Sequence, residues 1–150
     1  MQKENNSTLT PRIAVAGMGY WGKNLVRNFH QLGALSVVCD SNAAVEATLK
    51  KDYPGVGYRA DYASVLADPA INAVALATPA VTHYELAKAA MLAGKDVYVE
   101  KPLAVDVKQG RELVELSEKL GRVLMVGHIL RYHPAVLKLQ ELIRAGALGK

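Results

Sequence analysis

An apolar stretch, residues 12–16, runs directly into a glycine-rich turn at which a helical pattern begins. The turn consists of Gly17, Met18, Gly19, Tyr20, Trp21 and Gly22. Glycines at this spacing between a strand and a helix are typical of a loop that binds the pyrophosphate of a dinucleotide. Gly17 is expected to make the tight turn, Gly19 to let the backbone approach the phosphate, and Gly22 to let the helix pack closely on the strand. The N–H groups at the start of the helix then face the anion.

A helix and a second strand follow the glycine turn in the order that a dinucleotide-binding unit requires. Apolar residues recur at helical spacing over residues 25–32, and Gly33 ends the helix. The apolar run 35–39 then ends in Asp40, 21 residues after Gly19. A Rossmann unit places at this distance the carboxylate that accepts hydrogen bonds from the adenosine ribose. The alternative is that Asp40 caps the turn that follows it.

Short apolar runs alternate with helical patterns over the rest of the chain. Predicted strands cover residues 12–16, 35–39, 56–59, 71–77, 97–99 and 123–126, and predicted helices cover 22–32, 42–51, 61–66, 82–93, 106–120 and 134–145. This alternation predicts an α/β protein with a doubly wound Rossmann fold, in which a parallel six-stranded sheet carries helices on both faces. Thr82 and Glu85 form a predicted capping box at the start of the fourth helix.

Length and composition suit one folded unit with three segments. A chain of 150 residues, 51% of them hydrophobic, can bury a sizeable core. We divide it into a polar N-terminal tail (1–11), a dinucleotide-binding domain (12–133) and a terminal helix (134–150). The polar start predicts no secretory signal, and no apolar run approaches the roughly 18 residues of a membrane span. The single cysteine excludes an internal disulfide, and together these features favour the cytoplasm.

The charge pattern indicates a small-molecule partner. The net charge is +4, but lysine and arginine are scattered among acids and do not form a basic stripe. We therefore expect neither nucleic acid nor membrane as a partner. Cysteine and histidine do not occur at the spacing of metal ligands, so no metal site is expected.

Residues that directly follow the predicted strands are the candidates for ligand binding, because open parallel sheets bind ligands at the carboxyl ends of their strands. They are Asp40, Thr78, Pro79, Glu100, Lys101, Pro102, His128 and Arg131. A lysine at position 101 can hydrogen-bond a substrate hydroxyl or carbonyl during hydride transfer, with Glu100 orienting it. The alternative is a solvated lysine that pairs with Glu100. For Pro79 the alternative is that it is only a turn residue without a role in binding.

The expected cofactor is NAD, with NADP less favoured. The charge of Asp40 repels the 2′-phosphate of NADP, and no arginine or lysine lies between Asp40 and Lys50 to receive it.

The glycine loop, Asp40, Thr78-Pro79 with His83, and above all Glu100-Lys101-Pro102 resemble the Gfo/Idh/MocA oxidoreductases, relatives of glucose-fructose oxidoreductase and inositol dehydrogenase. The resemblance covers residues 12–150 in order and spacing. It implies that Lys101 is catalytic and lies at the nicotinamide, that His83 lies near the cofactor, and that the substrate is a sugar, a cyclitol or a nucleotide-linked sugar. The local sequences of residues 19–24 and 126–134 are similar to those of family members that act on nucleotide-linked amino sugars or their uronic acids.

Enzymes of this family carry a second domain after this point, with a large open sheet, a catalytic histidine and the oligomer interface. The resemblance thus implies that the chain is the cofactor half of a dehydrogenase, and that the C-terminal substrate domain is absent from it. In that case the apolar side of helix 134–145 is expected to mediate self-association. Two alternatives are a non-catalytic NAD-binding or redox-sensing module and a CoA-binding domain. The latter needs neither the acid after the second strand nor Glu100-Lys101-Pro102.

Overall fold

Six parallel strands form one sheet in the computed structural model, which describes residues 11–149. They are β1 (Ile13–Ala16), β2 (Leu35–Cys39), β3 (Gly57–Arg59), β4 (Ala73–Leu76), β5 (Asp96–Val99) and β6 (Leu124–Val126). Their order is β3-β2-β1-β4-β5-β6, and each neighbouring pair is parallel. The direction of winding therefore reverses between β1 and β4, which is where ligands bind in open α/β sheets.

Six α-helices connect or follow these strands. They are α1 (Gly22–Gln31), α2 (Ala44–Asp52), α3 (Tyr62–Ala67), α4 (His83–Leu92), α5 (Val107–Leu120) and α6 (Pro134–Arg144). Two aspartates cap helices, because Asp61 accepts hydrogen bonds from backbone N–H groups of α3 and Asp106 accepts them from α5. α5 ends at Gly121, whose φ of 61° is left-handed.

The capping box predicted at Thr82 is wrong. Residues Ala80–Thr82 form a 3₁₀ turn, so Thr82 has helical dihedral angles and makes no side-chain cap. Its hydroxyl instead donates backward to the carbonyl of Pro79 at 2.8 Å and lies 2.8 Å from the Thr78 hydroxyl. A turn that is already helical points the side chain away from the free N–H groups of α4, which is why the pattern did not hold.

Hydrophobic clusters on both faces of the sheet confirm the doubly wound architecture. Successive β1 residues point to opposite faces, so Ala14 and Ala16 join one cluster while Val15 joins the other. The first cluster includes buried residues of α3, α4 and α5, and the second includes those of α1 and α2. No helix within residues 11–149 is both long enough and apolar enough to cross a membrane.

The terminal helix α6 differs from the other five helices, because none of its residues is buried. Its N-cap is His133, whose Nδ1 accepts from the Ala135 N–H at 3.2 Å. A 3₁₀ turn, Ile129–Tyr132, precedes it and is exposed as well. The packed core thus ends with β6, and α6 lies outside it.

Candidate functional site

The glycine loop joins β1 to α1 at the point of reversal, and its glycines differ in the space around them. Gly17 has a φ of +89°, and a Cβ there would lie 2.8 Å from the carbonyl oxygen of Ala77. A Cβ on Gly22 would lie 1.9 Å from the carbonyl oxygen of Gly17. Around Gly19, by contrast, no atom of the described chain lies within 4 Å of such a Cβ. The backbone packing thus requires Gly17 and Gly22, whereas Gly19 faces open space that a phosphate group can enter.

The start of α1 has the properties of an anion site. Trp21 is its N-cap residue, and no side chain in the described range 11–149 caps the helix there. The first turn contains no acid, and the ammonium of Lys23 lies 5.3 Å from the centroid of the Tyr20 ring. A helix start without a capping side chain, together with the helix dipole, favours a negatively charged ligand, so this end of α1 fits the pyrophosphate of a dinucleotide.

Asp40, directly after β2, does two things at once. Its Oδ2 accepts from the backbone N–H of Met18 in the glycine loop at 2.7 Å, and its Oδ1 accepts from the N–H of Asn42 at 2.9 Å. The predicted alternative of a turn cap is therefore present. A carboxylate has about four acceptor positions, however, so both oxygens keep capacity for ribose hydroxyls.

Two cavities adjoin at the end of β4, where Ala77 and Thr78 line both. The first, which we call the Asp40 cavity, has a volume of about 320 Å³. Its further lining residues include Gly17, Gly19, Asp40, Ser41, Tyr62 and Pro79. The second, the Lys101 cavity, has a volume of about 370 Å³. Its further lining residues include Tyr20, Trp21, His83, Glu100, Lys101 and Gly127. The glycine loop contributes residues to both, so an extended ligand that crosses the loop can occupy the two cavities together.

Lys101 is exposed at the end of β5 and lines the Lys101 cavity, but Glu100 does not orient it. Glu100 is only 8% exposed, and its Oε1 accepts from Trp21 Nε1 at 2.7 Å and from the Tyr98 hydroxyl at 2.9 Å. Lys101 takes part in none of the ion pairs found within residues 11–149. The Glu100 carboxylate accepts from Trp21 and Tyr98, and within residues 11–149 it forms no ion pair with Lys101, so the predicted pairing of the two is wrong.

His83 lies inside the wall of the Lys101 cavity, with 1% of its surface exposed. Its Nδ1 lies 2.7 Å from the carbonyl oxygen of Pro102, and its Nε2 lies 2.9 Å from that of Thr78. The Lys101–Pro102 peptide bond is cis. His83 thus links the loop after β4 to the loop after β5.

Five of the predicted ligand-binding residues line neither cavity, namely Met18, Gly22, Pro102, His128 and Arg131. Arg131 is exposed on the 3₁₀ turn that precedes α6 and lines neither of them. Its assignment as a cofactor contact stays a prediction.

Sequence reasoning missed three residues that the sheet brings to the site. Arg59 ends β3, pairs in register with Cys39, and accepts through its backbone oxygen from the Asp40 N–H at 3.1 Å. The contact between Arg59 and Asp40 is one of backbone, and the guanidinium of Arg59 donates to the Tyr58 carbonyl oxygen at 3.2 Å. Tyr98 and Gly127 complete the surroundings of Glu100. In the sequence, Tyr98 was indicated only by the alternation of residues within β5, and Gly127 only by its place directly after β6.

Burial makes two side chains near the Asp40 cavity chemically inert. Burial, and then the charges of Asp61 and Asp40, raises the pKa of the Cys39 thiol from its ordinary 9.0 to about 11. Burial also raises the pKa of the Tyr62 hydroxyl, which donates to the carbonyl oxygen of Leu86 at 3.1 Å. Both groups stay protonated near neutral pH, so neither supplies a nucleophile or a base.

Known proteins resemble this chain in sequence and in fold. Residues 11–128 match the profile of the family described as an oxidoreductase family with an NAD-binding Rossmann fold. "Uncharacterized oxidoreductase YdgJ" of Escherichia coli K12 is 38% identical over 146 residues, which cover 93% of this chain and 40% of that protein. UDP-N-acetylglucosamine 3-dehydrogenase of Acidithiobacillus ferrooxidans is 32% identical over a region that covers 87% of this chain and 41% of that protein.

A solved structure, that of an NAD-binding protein from Listeria innocua, superposes with a TM-score of 0.85 at 26% identity. The superposition covers 95% of this chain and 42% of the Listeria innocua chain. The chain therefore spans about 40% of the length of the curated relatives that it matches.

Proposed function

The chain belongs to the Gfo/Idh/MocA oxidoreductase family as an NAD-binding Rossmann domain, and from this premise we propose that it is the cofactor-binding half of an NAD-dependent dehydrogenase. The enzyme would transfer a hydride between nicotinamide and a carbon of a sugar, a cyclitol or a nucleotide-linked sugar. The observation that carries the proposal is the pair of adjoining cavities, with an acid in one and a lysine in the other.

The residues of the Asp40 cavity fit the adenosine half of the cofactor. Asp40 accepts hydrogen bonds from ribose hydroxyls, and the start of α1 binds the pyrophosphate through its backbone N–H groups. Gly19 leaves room for that approach. The negative charge of Asp40 disfavours the 2′-phosphate of NADP. We propose NAD because Asp40 lies directly at the end of β2 and in the wall of the cavity.

The residues of the Lys101 cavity fit the reacting half. The nicotinamide, when bound, supplies the acceptor or donor of the hydride. Lys101 is exposed to the cavity, so its ammonium can hydrogen-bond the oxygen of the carbon that reacts. In the direction of reduction, Lys101 donates a proton to that carbonyl oxygen as the hydride reaches the carbon. The substrate class is inferred from the family and from the similarity to a UDP-N-acetylglucosamine 3-dehydrogenase.

The first test is a thermal-shift titration of the chain with NADH, NADPH and CoA, each on the wild type and on Asp40→Ala. We expect NADH to stabilise the wild type by about 2.7 kcal/mol at a hundredfold excess over its Kd. CoA should give no shift. Asp40→Ala should lose about 1 to 2 kcal/mol of the NADH effect, because a charged acceptor for the ribose is gone.

A matched control separates the site from a general loss of charge. The control variant is Asp52→Ala, which replaces an exposed aspartate at the end of α2. It should respond to all three ligands as the wild type does. Each shift is read against the ligand-free protein of the same variant, since Asp40 also supports the glycine loop. Stabilisation by CoA but not by NADH would contradict the proposal, as would a wild type that responds to none of the three ligands.

A further inference from the structure

Two loops of the candidate site are joined by one side-chain hydrogen bond. Trp21, in the glycine loop, donates from Nε1 to Glu100 Oε1 at 2.7 Å, although the two residues are 79 positions apart. Glu100 directly precedes Lys101, and Trp21, Glu100 and Lys101 all line the Lys101 cavity. The loop expected to hold the pyrophosphate is therefore tied to the loop that carries the proposed catalytic lysine.

The Glu100 carboxylate is held from a second direction by Tyr98. The Tyr98 hydroxyl donates to the same Oε1 at 2.9 Å, and Glu100 is a buried residue. Burial, and then the hydrogen bond and charge of Glu100, raises the pKa of Tyr98, so the hydroxyl remains a donor throughout the physiological range. Hydrogen bonds to a buried carboxylate are among the strong ones in proteins. The position of Glu100 is thus determined by both donors.

Gly127 provides the space in which these groups meet. A Cβ at position 127 would lie 2.4 Å from the Tyr98 hydroxyl oxygen and 3.0 Å from each carboxylate oxygen of Glu100. Elements from three parts of the chain, the start of α1, the end of β5 and the residue after β6, therefore converge on one carboxylate.

We propose that Trp21, Tyr98 and Glu100 form a latch that holds the glycine loop against the Lys101 loop and so shapes the Lys101 cavity for the nicotinamide ring. Glu100 is then a positioning residue that acts through Trp21, and Trp21 is a wall of the cavity. The latch rests on the proposed function, because it assigns the Lys101 cavity to the nicotinamide half of the cofactor. It predicts that breaking the latch weakens binding of the nicotinamide half alone.

The test compares NADH with ADP-ribose, which lacks the nicotinamide, by calorimetric titration of the chain. Trp21→Phe keeps an aromatic ring but removes the N–H donor. We expect its Kd for NADH to rise about tenfold, which is the lower range for loss of a hydrogen bond to a charged group. The Kd for ADP-ribose should stay within about twofold of the wild-type value, because Asp40 and the backbone N–H groups at the start of α1 are retained.

A second variant keeps the test independent of the folding of the first. Tyr98→Phe removes the other donor to Glu100 and should weaken NADH binding about fivefold, again with little effect on ADP-ribose. Its matched control is Tyr84→Phe, which removes a hydroxyl that donates to Glu112 away from both cavities. That control should bind both ligands as the wild type does. Thermal unfolding of each variant shows which ones are folded before titration.

The outcomes separate the latch from the proposed function. If Trp21→Phe and Tyr98→Phe bind NADH as the wild type does, or lose NADH and ADP-ribose equally, the latch is wrong while the proposed function stands. If the wild type binds neither ligand, the proposed function is wrong and the latch falls with it. A selective loss of NADH in both variants supports both.

Discussion

At the scale of single residues, Gly19 and Gly22 differ in what surrounds them. Gly22 lies against the backbone of Gly17, and an added Cβ would overlap its carbonyl oxygen. Gly19 has open space in the same direction, within the described part of the chain. The same residue type thus serves the packing of the loop at one position and access to it at the other. Replacing each of the two glycines with alanine therefore separates the two roles.

We predict that Gly22→Ala lowers the free energy of unfolding by about 3 kcal/mol, because overpacking against backbone cannot relax easily. Gly19→Ala should change that free energy by no more than about 1 kcal/mol, yet lose at least about tenfold in NADH affinity, since a methyl group then occupies the approach of the phosphate. Urea unfolding gives the first quantity. Fluorescence of Trp21, the single tryptophan of the sequence, follows the second. If the Gly19→Ala variant binds NADH as tightly as the wild type does, the assignment of the glycine loop to the pyrophosphate is wrong.

At the scale of secondary-structure elements, α4 links two loops of the site through its first residue. His83 begins α4, and its ring lies between the carbonyl oxygens of Thr78 and Pro102. A buried ring between two loops stabilises them by packing against both and by donating its N–H to a carbonyl oxygen that would otherwise lack a partner. The helix therefore helps to hold the walls of the Lys101 cavity, and His83 is part of that support.

We predict that His83→Ala lowers the free energy of unfolding by about 3 kcal/mol, from the cavity left by the ring and from the loss of the hydrogen bond that the ring donates. The matched control is His30→Ala, since His30 is exposed near the end of α1. That control should change stability by less than about 0.5 kcal/mol. Chemical denaturation monitored by circular dichroism measures both variants. Equal stability of the two would show that the buried ring does not support the loops.

At the scale of the whole molecule, the sheet and its five packed helices form the core, while α6 stays outside it. Leu139 is 48% exposed and Ile143 is 58% exposed, and they lie on the apolar side of α6 with Val136 and Leu142. An apolar helix face that the rest of the described chain does not cover favours contact with another surface. The expectation of self-association through this helix therefore stays a prediction with a structural basis.

We predict that the chain self-associates as its concentration rises, and that Leu139→Lys combined with Ile143→Lys prevents it. Two charges on the apolar side cannot be buried without a large desolvation cost. Glu141→Lys, on the opposite side of α6, serves as the control and should associate as the wild type does. Sedimentation velocity over a range of concentrations measures the effect. A wild type that sediments as a monomer at every concentration would contradict the prediction.

The predictions that held best from sequence concern elements and their order. Glycine turns, helix-capping aspartates and apolar periodicity act within a few residues of one another, so the strands, the helices and the doubly wound class could be predicted locally. The capping box at Thr82 failed because a 3₁₀ turn preceded the helix, and turns of that kind leave little trace in composition.

A parallel α/β sheet, with a glycine loop at its point of reversal and ligand candidates at its strand ends, could be predicted from the sequence alone. The contacts of those candidates followed from how the strands pack. Glu100 accepts from Trp21 and does not pair with its neighbour Lys101, and the backbone of Asp40 pairs with that of Arg59, which is distant in sequence. The physical reason is that side-chain partners across a sheet depend on register and on the face to which each residue points, and neither is encoded in local spacing.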